Sequence, residues 1–482
     1  MRRLPLILTV VIAAALAGCT TDPKPGPASS AAPSTAPIDY TAWAAGRSAP
    51  VAEPIYPKYG NPAVDVLHYG LELAWVRETK VLTGQATIQL RAVAALTSIG
   101  LDFSAAYAID AATVDGAPVT ATVADGELTV PTPVAADAAV TLVVTYHGTP
   151  ATVPMPSHRA DSEPLGLTVT ADGMLWTMQE PYGAATWYPA NDMPSDKALY
   201  DIAVTAPEGW SAVASGTPKG REGNTFRYTS ADPVASYLTT LAVGPLRQET
   251  AVGPHDLPIT YWFRPGQADK IMEVVRRSPK YLTWLEQRFG PYPYPSAGVV
   301  LVPSESGMET QQMVTLGEKI VSDASTEALK AVELDMLHEY SHHWFGNTVT
   351  PATWTDLWLS EGFATYAQYL YNIERDNLPM AGWESWIKSR DAKLRKDIGP
   401  PGSPKADSFA ESNVYTCPAL MLHRIHTQLG DAAFFALARD WAQQHRGGTS
   451  SRASFIACVN QHTGKDFTSM INAWLDSPTT PA

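Results

Sequence analysis

A pair of histidines flanking a glutamate constrains the fold of this chain more than any other feature. The motif is His338-Glu339-Tyr340-Ser341-His342. The segment before it, from about residue 326, contains no proline or glycine and is rich in residues that favour helices. On a helix, His338 and His342 project from one face on successive turns. Imidazoles in this arrangement bind one Zn²⁺, with Glu339 beside the open side of the metal.

A third candidate ligand, Glu361, follows after eighteen intervening residues. Ser360 is a suitable N-cap for a second helix, which would bring Glu361 to the metal as an oxygen ligand. Three protein ligands leave a fourth position open, as in catalytic rather than structural zinc sites. The short motif alone arises by chance in about one chain in a hundred of this size, and the alternative is a solvated helix with two unrelated histidines. Glu361 and the apolar surroundings favour the zinc site.

Composition excludes some classes of function. The 482 residues carry a net charge of −14, with 45% hydrophobic and 17% charged residues. Such a chain is globular and long enough for about two or three domains. The negative charge argues against nucleic acid and against an anionic membrane surface as binding partners.

The first 51 residues carry the signals of an exported protein. An apolar run over residues 4–17 follows two arginines and is too short for a stable membrane span. It ends in Leu16-Ala17-Gly18-Cys19, which resembles the bacterial lipobox, so we expect a signal peptide at 1–18 and lipidation of Cys19. The alternative is an ordinary secretory signal with an incidental cysteine. Residues 19–51 predict a disordered tether, which would hold the protein at the outer face of a membrane in the bacterial cell envelope.

The patterns of the remaining chain predict an α+β multidomain protein. Residues 85–91 alternate polar and apolar side chains, as a half-buried strand does. Asp-Gly pairs at 115–116, 125–126 and 172–173 favour hairpin turns. We therefore predict an N-terminal antiparallel sheet or sandwich domain over residues 52–247. Residues 248–482 are predicted to be mainly helical, with Pro279 interrupting a helix that begins near Asp269.

The stretch from His338 to Ala364 resembles the zinc signature of the aminopeptidase N family of gluzincins. It continues through Trp344-Phe345-Gly346-Asn347 and Trp358-Leu359-Ser360-Glu361-Gly362-Phe363-Ala364, and departs only at Ser360, where the family usually has Asn. The resemblance implies an N-terminal saddle of strands followed by a thermolysin-like catalytic domain with one Zn²⁺. It also implies that the large helical C-terminal domain of many family members is absent, which would leave a more open site.

Two further stretches resemble the segments with which this family binds the substrate's free amine. Ser306-Gly307-Met308-Glu309-Thr310 resembles the family's Gly-Ala-Met-Glu-Asn motif, in which an edge strand pairs with the substrate and the glutamate binds the α-amine. Gln179-Glu180-Pro181-Tyr182 resembles a second such segment. The resemblance thus assigns Glu309 and Glu180, with their neighbours Met308 and Gln179, to amine binding. A solvent-facing loop carboxylate is the alternative for Glu180.

The last third of the chain holds three further candidates. Val414-Tyr415-Thr416-Cys417-Pro418-Ala419-Leu420 resembles the family stretch whose tyrosine stabilises the oxyanion, which assigns that role to Tyr415; a buried structural tyrosine is the alternative. Asp356 is a possible acceptor for the outer nitrogen of a zinc histidine. Cys417 and Cys458 either form a disulfide or remain free thiols.

These residues together predict a zinc-dependent aminopeptidase that hydrolyses the N-terminal residue of peptides, with Glu339 as general base. We expect a monomer whose partners are peptides with a free N-terminus. Two alternatives remain open at this point. Without contact between Glu309 and the amine, the chain would be a thermolysin-like endopeptidase. A catalytically silent surface lipoprotein that only binds is the other.

Overall fold

The computed structural model describes residues 39–266, 269–321 and 325–481. The signal peptide predicted at 1–18 and the lipidation predicted at Cys19 lie outside the described residues. So does the predicted tether as far as residue 38.

Residues 39–51 are ordered, so the prediction of a disordered tether is wrong for this part of the chain. Tyr40–Gly46 form a 3₁₀ helix. Ser48 then donates its backbone N–H to the Asp65 carboxylate at 2.9 Å. A side chain on Gly46 would lie 2.0 Å from the Leu67 carbonyl oxygen, so the segment packs directly against a strand. Its Pro- and Ala-rich composition conceals these few specific contacts.

The first half of the folded chain is built from β-strands. They are β1 Val64–Val76, β2 Val81–Ala92, β3 Ile99–Asp102, β4 Tyr107–Val114, β5 Ala117–Pro118, β6 Thr122–Ala124, β7 Glu127–Val130, β8 Ala139–Gly148, β9 Gly166–Val169, β10 Leu175–Met178, β11 Lys197–Thr205, β12 Ser211–Ala214, β13 Thr217–Glu222, β14 Thr225–Ala235 and β15 Leu241–Gly244. The eight-stranded sheet has the order β13-β14-β11-β1-β2-β8-β4-β5. A four-stranded sheet (β12-β15-β10-β9) and a three-stranded sheet (β3-β7-β6) accompany it.

Local sequence explains most of this sheet region. Strand β2 buries alternate side chains along its first half, as the alternation at 85–91 predicted. The Asp-Gly pairs at 115–116 and 125–126 have positive φ at both residues and close the β4–β5 and β6–β7 hairpins. The sheets are antiparallel, as predicted, except that β1 pairs with β11 in parallel. More than one hundred residues separate these strands, which leaves ample chain for the crossover that a parallel pair needs.

The second half alternates a small sheet with helices. Its elements are β16 Arg247–Val252, β17 Pro258–Phe263, α1 Asp269–Val275, α2 Ser278–Phe289, β18 Ala297–Val302, β19 Gly307–Met308, β20 Val314–Gly317, α3 Thr326–Ser341, β21 Val349–Pro351, α4 Leu357–Asp376, α5 Met380–Asp397, α6 Asn413–Leu429, α7 Asp431–Gln444, β22 Gly448–Ser450, α8 Arg452–Thr463 and α9 Thr468–Asp476. Strands β16 to β20 form one sheet in which β19 is an edge strand, as predicted for Met308. The predicted interruption at Pro279 is confirmed, because α1 ends at Val275 and Pro279 lies in the first turn of α2.

Three helices position the chemistry. Helix α4 packs against both α3 and α6, and large aromatic side chains such as Trp344, Trp354 and Trp358 are buried around them. Such packing fixes the helices relative to one another and leaves little freedom to the side chains between them. The predicted fold class, a β domain followed by a mainly helical domain, is confirmed. Among the described residues, no helix has the length and apolar character needed to cross a membrane.

Candidate active site

Helices α3 and α4 bring the three predicted zinc ligands together. The Nε2 atoms of His338 and His342 lie 3.1 Å apart. A carboxylate oxygen of Glu361 lies 3.2 Å from the first and 3.5 Å from the second. Two imidazole nitrogens and one carboxylate oxygen converging on a point form the donor set of a catalytic zinc site, so these residues fit Zn²⁺.

Hydrogen bonding turns one imidazole towards this point. His342 Nδ1 lies 3.1 Å from the Phe345 carbonyl oxygen, which assigns the proton to Nδ1 and leaves Nε2 free as a ligand. His338 Nδ1 is buried and lacks a hydrogen-bond partner among the described residues. The neighbouring His343 points elsewhere, as the helix geometry predicts, with Nδ1 2.8 Å from the Tyr292 hydroxyl.

Asp356 does not orient either zinc histidine, so that prediction is wrong. Its Oδ1 accepts from the Arg452 backbone N–H at 3.1 Å and from the Trp358 indole at 3.3 Å. Asp356 precedes α4 directly, and from there its side chain turns towards the start of α8 instead of α3. The acceptor for His342 is a backbone carbonyl instead.

The segment after α3 ties the zinc motif to the edge strand β19. His343–Asn347 form a single π-type turn, in which Gly346 has φ 136°. The side-chain amide of Asn347 donates to the backbone carbonyl of Glu309 at 2.6 Å. This link between the zinc helix and the Met308-Glu309 strand was not part of the sequence prediction, although Asn347 belongs to the stretch that carried the resemblance.

Glu180 and Glu309 meet beside the zinc ligands, one from the β region and one from the loop after β19. Carboxylate oxygens of Glu180, Glu309 and Glu361 lie within 4.8 Å of one another. Oε1 of Glu180 and Oε1 of Glu309 are both buried and lack a hydrogen-bond partner among the residues that the structure describes. Burial, together with the charge of Glu309, raises the pKa of the Glu180 carboxyl well above its usual range. Two such oxygens form a receptor for a cation.

Gln179, the residue before Glu180, is held by hydrogen bonds within the protein. Its amide nitrogen donates to the Ser236 carbonyl at 2.7 Å and to the Thr239 hydroxyl at 2.6 Å. Its amide oxygen accepts from the Trp187 indole at 2.9 Å. The prediction that Gln179 binds the substrate amine is therefore corrected, because both ends of its amide are engaged within the protein. It anchors the segment that carries Glu180. Met308 is buried and lines the cavity beside Glu309, and its predicted part in amine binding remains a prediction.

Glu339 lies close both to the zinc ligand His342 and to Glu309 of the Glu180–Glu309 pair. Its carboxylate belongs to a cluster with Glu309 and His342, whose ligand atoms lie within 4.8 Å of one another. Burial, followed by the charge of Glu309, raises the pKa of Glu339 well above its usual range. A Cβ at Gly307 would lie 2.8 Å from Glu339 Oε1, so the strand approaches the carboxylate closely.

Tyr415 reaches the site from α6 and is held there by Arg159. The Tyr415 ring stacks near His338, with ring centroids 6.0 Å apart. Arg159 Nη1 donates to the Tyr415 hydroxyl at 2.9 Å and to the Ala410 carbonyl at 3.1 Å. The guanidinium is itself paired with Asp161, whose oxygen accepts from Nε at 2.9 Å. Sequence reasoning missed Arg159, because no local pattern marks an arginine in the long β8–β9 connection as a neighbour of α6.

These groups line a cavity of about 420 Å³. Among the described residues, its charged lining is mainly acidic, and Arg159 and the two zinc histidines are the basic groups. The carboxylates are Asp161, Glu163, Glu180, Glu305, Glu309, Asp335, Glu339 and Glu361. A cavity with this balance attracts cationic groups of a ligand.

Two regions of the chain match models of one protein family. Residues 274–474 match the peptidase family M1 domain, and residues 65–238 match the peptidase M1 N-terminal domain. The chain belongs to peptidase family M1. The M1 matches cover both the sheet region and the helices that carry the site.

Solved structures agree with this assignment. An M1 zinc metallopeptidase mutant from Deinococcus radiodurans, bound to a Tyr-Ser-Ala substrate, has a TM-score of 0.79 and 28% identity, covering 90% of this chain and 99% of that one. A related two-domain M1 zinc metallopeptidase mutant bound to L-tryptophan gives 0.79 and 29%, with the same coverage of both chains. The zinc cofactor predicted from the sequence is confirmed by these relatives, and the donor set above fits it.

Curated relatives of this M1 peptidase are longer. Aminopeptidase N of Streptomyces lividans is 26% identical over 330 residues, which are 63% of this chain and 38% of that protein. Aminopeptidase B of Rattus norvegicus is 33% identical over 187 residues, which are 38% of this chain and 27% of that protein. The chain thus spans about a quarter to two fifths of the curated relatives that it matches.

Cys417 and Cys458, the two cysteines among the described residues of this M1 peptidase, are free thiols, so the possible disulfide between them is not formed. Both thiols are buried. Cys417 lies on α6, and Cys458 lies on α8 with its sulfur 4.0 Å from the Gln444 side chain. Burial raises the pKa of Cys458 to about 11, so this thiol remains protonated and unreactive at neutral pH.

Proposed function

We propose that this M1 peptidase is a zinc-dependent aminopeptidase, which removes the N-terminal residue from peptides that have a free α-amine. The observation that carries the proposal is the pair of buried, unpartnered oxygens of Glu180 and Glu309 beside the zinc ligands. An α-ammonium group would supply the hydrogen bonds and the positive charge that these two carboxylates lack. A peptide blocked at its N-terminus would leave them unsatisfied, at a cost of about 1–3 kcal/mol or more for charged groups.

His338, His342 and Glu361 would hold the zinc ion. When bound, the ion would act as a Lewis acid on the scissile carbonyl. The ammonium group in the Glu180–Glu309 receptor would place the first peptide bond next to these ligands, because Glu180, Glu309 and Glu361 lie so close together. Cleavage after the first residue follows from this distance.

Glu339 would act as the general base. Its carboxylate takes a proton from the attacking water and later passes that proton to the leaving amine.

Tyr415 would donate its hydroxyl proton in a hydrogen bond to the oxyanion that develops on the scissile carbonyl. Such a donor contributes about 3 kcal/mol to lowering the barrier. By donating one N–H to the hydroxyl oxygen, Arg159 would hold it in place and leave the hydroxyl proton free to point at the substrate. Edge strand β19 would pair with the substrate backbone and fix the peptide's direction.

We also propose the cellular setting that the first residues indicate. Removal of residues 1–18 and lipidation of Cys19 would anchor a monomer to the outer face of a bacterial membrane, with an N-terminal domain at 52–247 and the peptidase domain at 248–482. The support is the sequence of the first 19 residues and the pairing of β16, which begins at Arg247, with the peptidase sheet. Metabolic labelling with a fatty acid tests the anchor, since Cys19→Ser should abolish the label.

The experiment that tests the activity compares matched tripeptides with free and acetylated N-termini, each with and without a zinc chelator. We expect hydrolysis of the free peptides only, and its loss on chelation. Hydrolysis of both kinds of peptide would instead support an endopeptidase and remove Glu180 and Glu309 from amine binding. Zinc binding without hydrolysis of any peptide would support a protein that only binds its ligand.

A further inference from the structure

Asp335 is an acidic side chain of the cavity that has no role in the mechanism above. Asp335 lies on α3, half-buried, and its carboxylate lines the cavity. It forms no hydrogen bond or ion pair with any residue that the structure describes, and burial alone raises the pKa of its carboxyl to about 7. Such a carboxylate has lost part of its hydration, and no hydrogen bond or ion pair from the described residues compensates for that loss. A cation supplied by a ligand would therefore stabilise it.

The helix places this carboxylate at a defined distance from the reacting groups. Asp335 shares one face of α3 with the reacting groups. The residues three, four and seven positions after it are His338, Glu339 and His342. His342 and Glu339 are the members of this face that lie close to Glu309 of the amine receptor. Asp335 is one turn beyond Glu339 and about 10 Å along the helix axis from His342. Glu339 therefore lies between the amine receptor and Asp335.

This order has a direct consequence for a bound peptide. If the α-ammonium is held by Glu180 and Glu309, the first carbonyl lies at the zinc ligands and at Glu339. The chain beyond the scissile bond then continues along α3 towards its N-terminal end, where Asp335 faces the cavity. Asp335 is about 6 Å along the helix axis from Glu339, which lies beside the scissile bond. One residue of extended chain advances about 3.3 Å, so a lysine or arginine side chain on that residue is long enough to span the rest of this distance.

We propose that Asp335 forms a subsite for a cationic side chain, lysine or arginine, at the residue immediately after the scissile bond. The proposal rests on the proposed aminopeptidase function and names its preferred substrates as peptides with a basic second residue. Arg159, the cavity's arginine, is already paired with Asp161 and does not neutralise Asp335. The half-buried Ile320 also lines the cavity and offers apolar surface for the stem of a long basic side chain.

The test measures kcat/KM for tripeptides that differ only at the second residue: Leu-Lys-Ala, Leu-Gln-Ala and Leu-Glu-Ala. We expect the wild-type chain to prefer lysine over glutamine by about tenfold, the effect of roughly 1.4 kcal/mol, and to cleave the glutamate peptide more slowly still. In Asp335→Asn the ratio of the lysine to the glutamine peptide should fall towards one, and Asp335→Glu should restore part of it. Glu327→Gln, which removes an exposed carboxylate from the first turn of the same helix, is the matched control and should keep the wild-type ratio.

The outcomes separate this inference from the proposed function. Equal cleavage of the three peptides by the wild-type chain would overturn the subsite and leave the aminopeptidase standing. An equal loss on all three peptides in Asp335→Asn would assign Asp335 a structural role, which also overturns the subsite. A preference that follows the first residue, tested with Lys-Leu-Ala against Gln-Leu-Ala, would place Asp335 on the other side of the scissile bond. No cleavage of any peptide would overturn the proposed function and the subsite with it.

Discussion

Arg159 is the side chain whose removal tests the active-site geometry most sharply. Its guanidinium bonds the Tyr415 hydroxyl at 2.9 Å while the same group pairs with Asp161. Arg159→Gln removes the charged donor, and Arg159→Lys keeps the charge but cannot reproduce the planar fork that reaches both partners. A hydrogen bond from a charged donor contributes about 1.5–3 kcal/mol. If all of this serves to place Tyr415 in the transition state, kcat should fall by about 10- to 150-fold with little change in KM.

A double-mutant cycle shows whether the effect passes through Tyr415. Tyr415→Phe removes the hydroxyl that Arg159 holds. We expect the double variant Arg159→Gln with Tyr415→Phe to be no slower than Tyr415→Phe alone, because coupled residues are not additive. The assay is steady-state hydrolysis of a free-amine tripeptide, with zinc content and thermal unfolding measured on each variant. Arg227→Gln, an exposed arginine on β14, controls for the loss of a charge. Fully additive effects would refute the argument that Arg159 acts by positioning Tyr415.

Three further predictions concern the base, the metal and a buried lysine. Glu339→Gln should bind zinc and peptide but lose nearly all turnover. Zinc analysis measures the bound metal, and single-turnover kinetics measure peptide binding and the chemical step; substantial residual kcat would exclude Glu339 as the base. Chelation should abolish hydrolysis, and added Zn²⁺ should restore it. Zinc at 100 times its Kd should also raise the free energy of unfolding by ~2.7 kcal/mol, and His342→Ala should lack this stabilisation by zinc. Burial lowers the pKa of Lys197 from 10.5 to about 7, although its ammonium donates to the Asn347 carbonyl at 2.8 Å. Between these pH values the unfolded state binds more protons, so the free energy of unfolding should rise with pH by up to ~1.4 kcal/mol per unit. Denaturant titrations of Lys197→Met from pH 7 to 10 should show a flatter slope, and an unchanged slope would contradict the low pKa.

The sequence by itself determined the features that depend on residues near one another in the chain. His338 and His342 face one metal because a helix places residues four apart on one side. The Asp-Gly pairs at 115–116 and 125–126 close hairpins because both residues accept positive φ. Pro279 separates α1 from α2 because its ring excludes a continuous helix. The zinc motif and the stretches around it are therefore sufficient to indicate the family.

Only the tertiary structure decided which distant side chains meet and which of their atoms are already occupied. Arg159 reaches Tyr415 across 256 residues of sequence. Gln179 and Asp356 have suitable chemistry for their predicted roles, but the packing around them supplies other partners. Asp335 is the opposite case, because its carboxylate lines the cavity and no described residue forms a hydrogen bond or ion pair with it. Periodicity and spacing report which face a residue occupies within its own element. They carry no information on which groups from other elements saturate its hydrogen bonds, because that depends on how the elements pack.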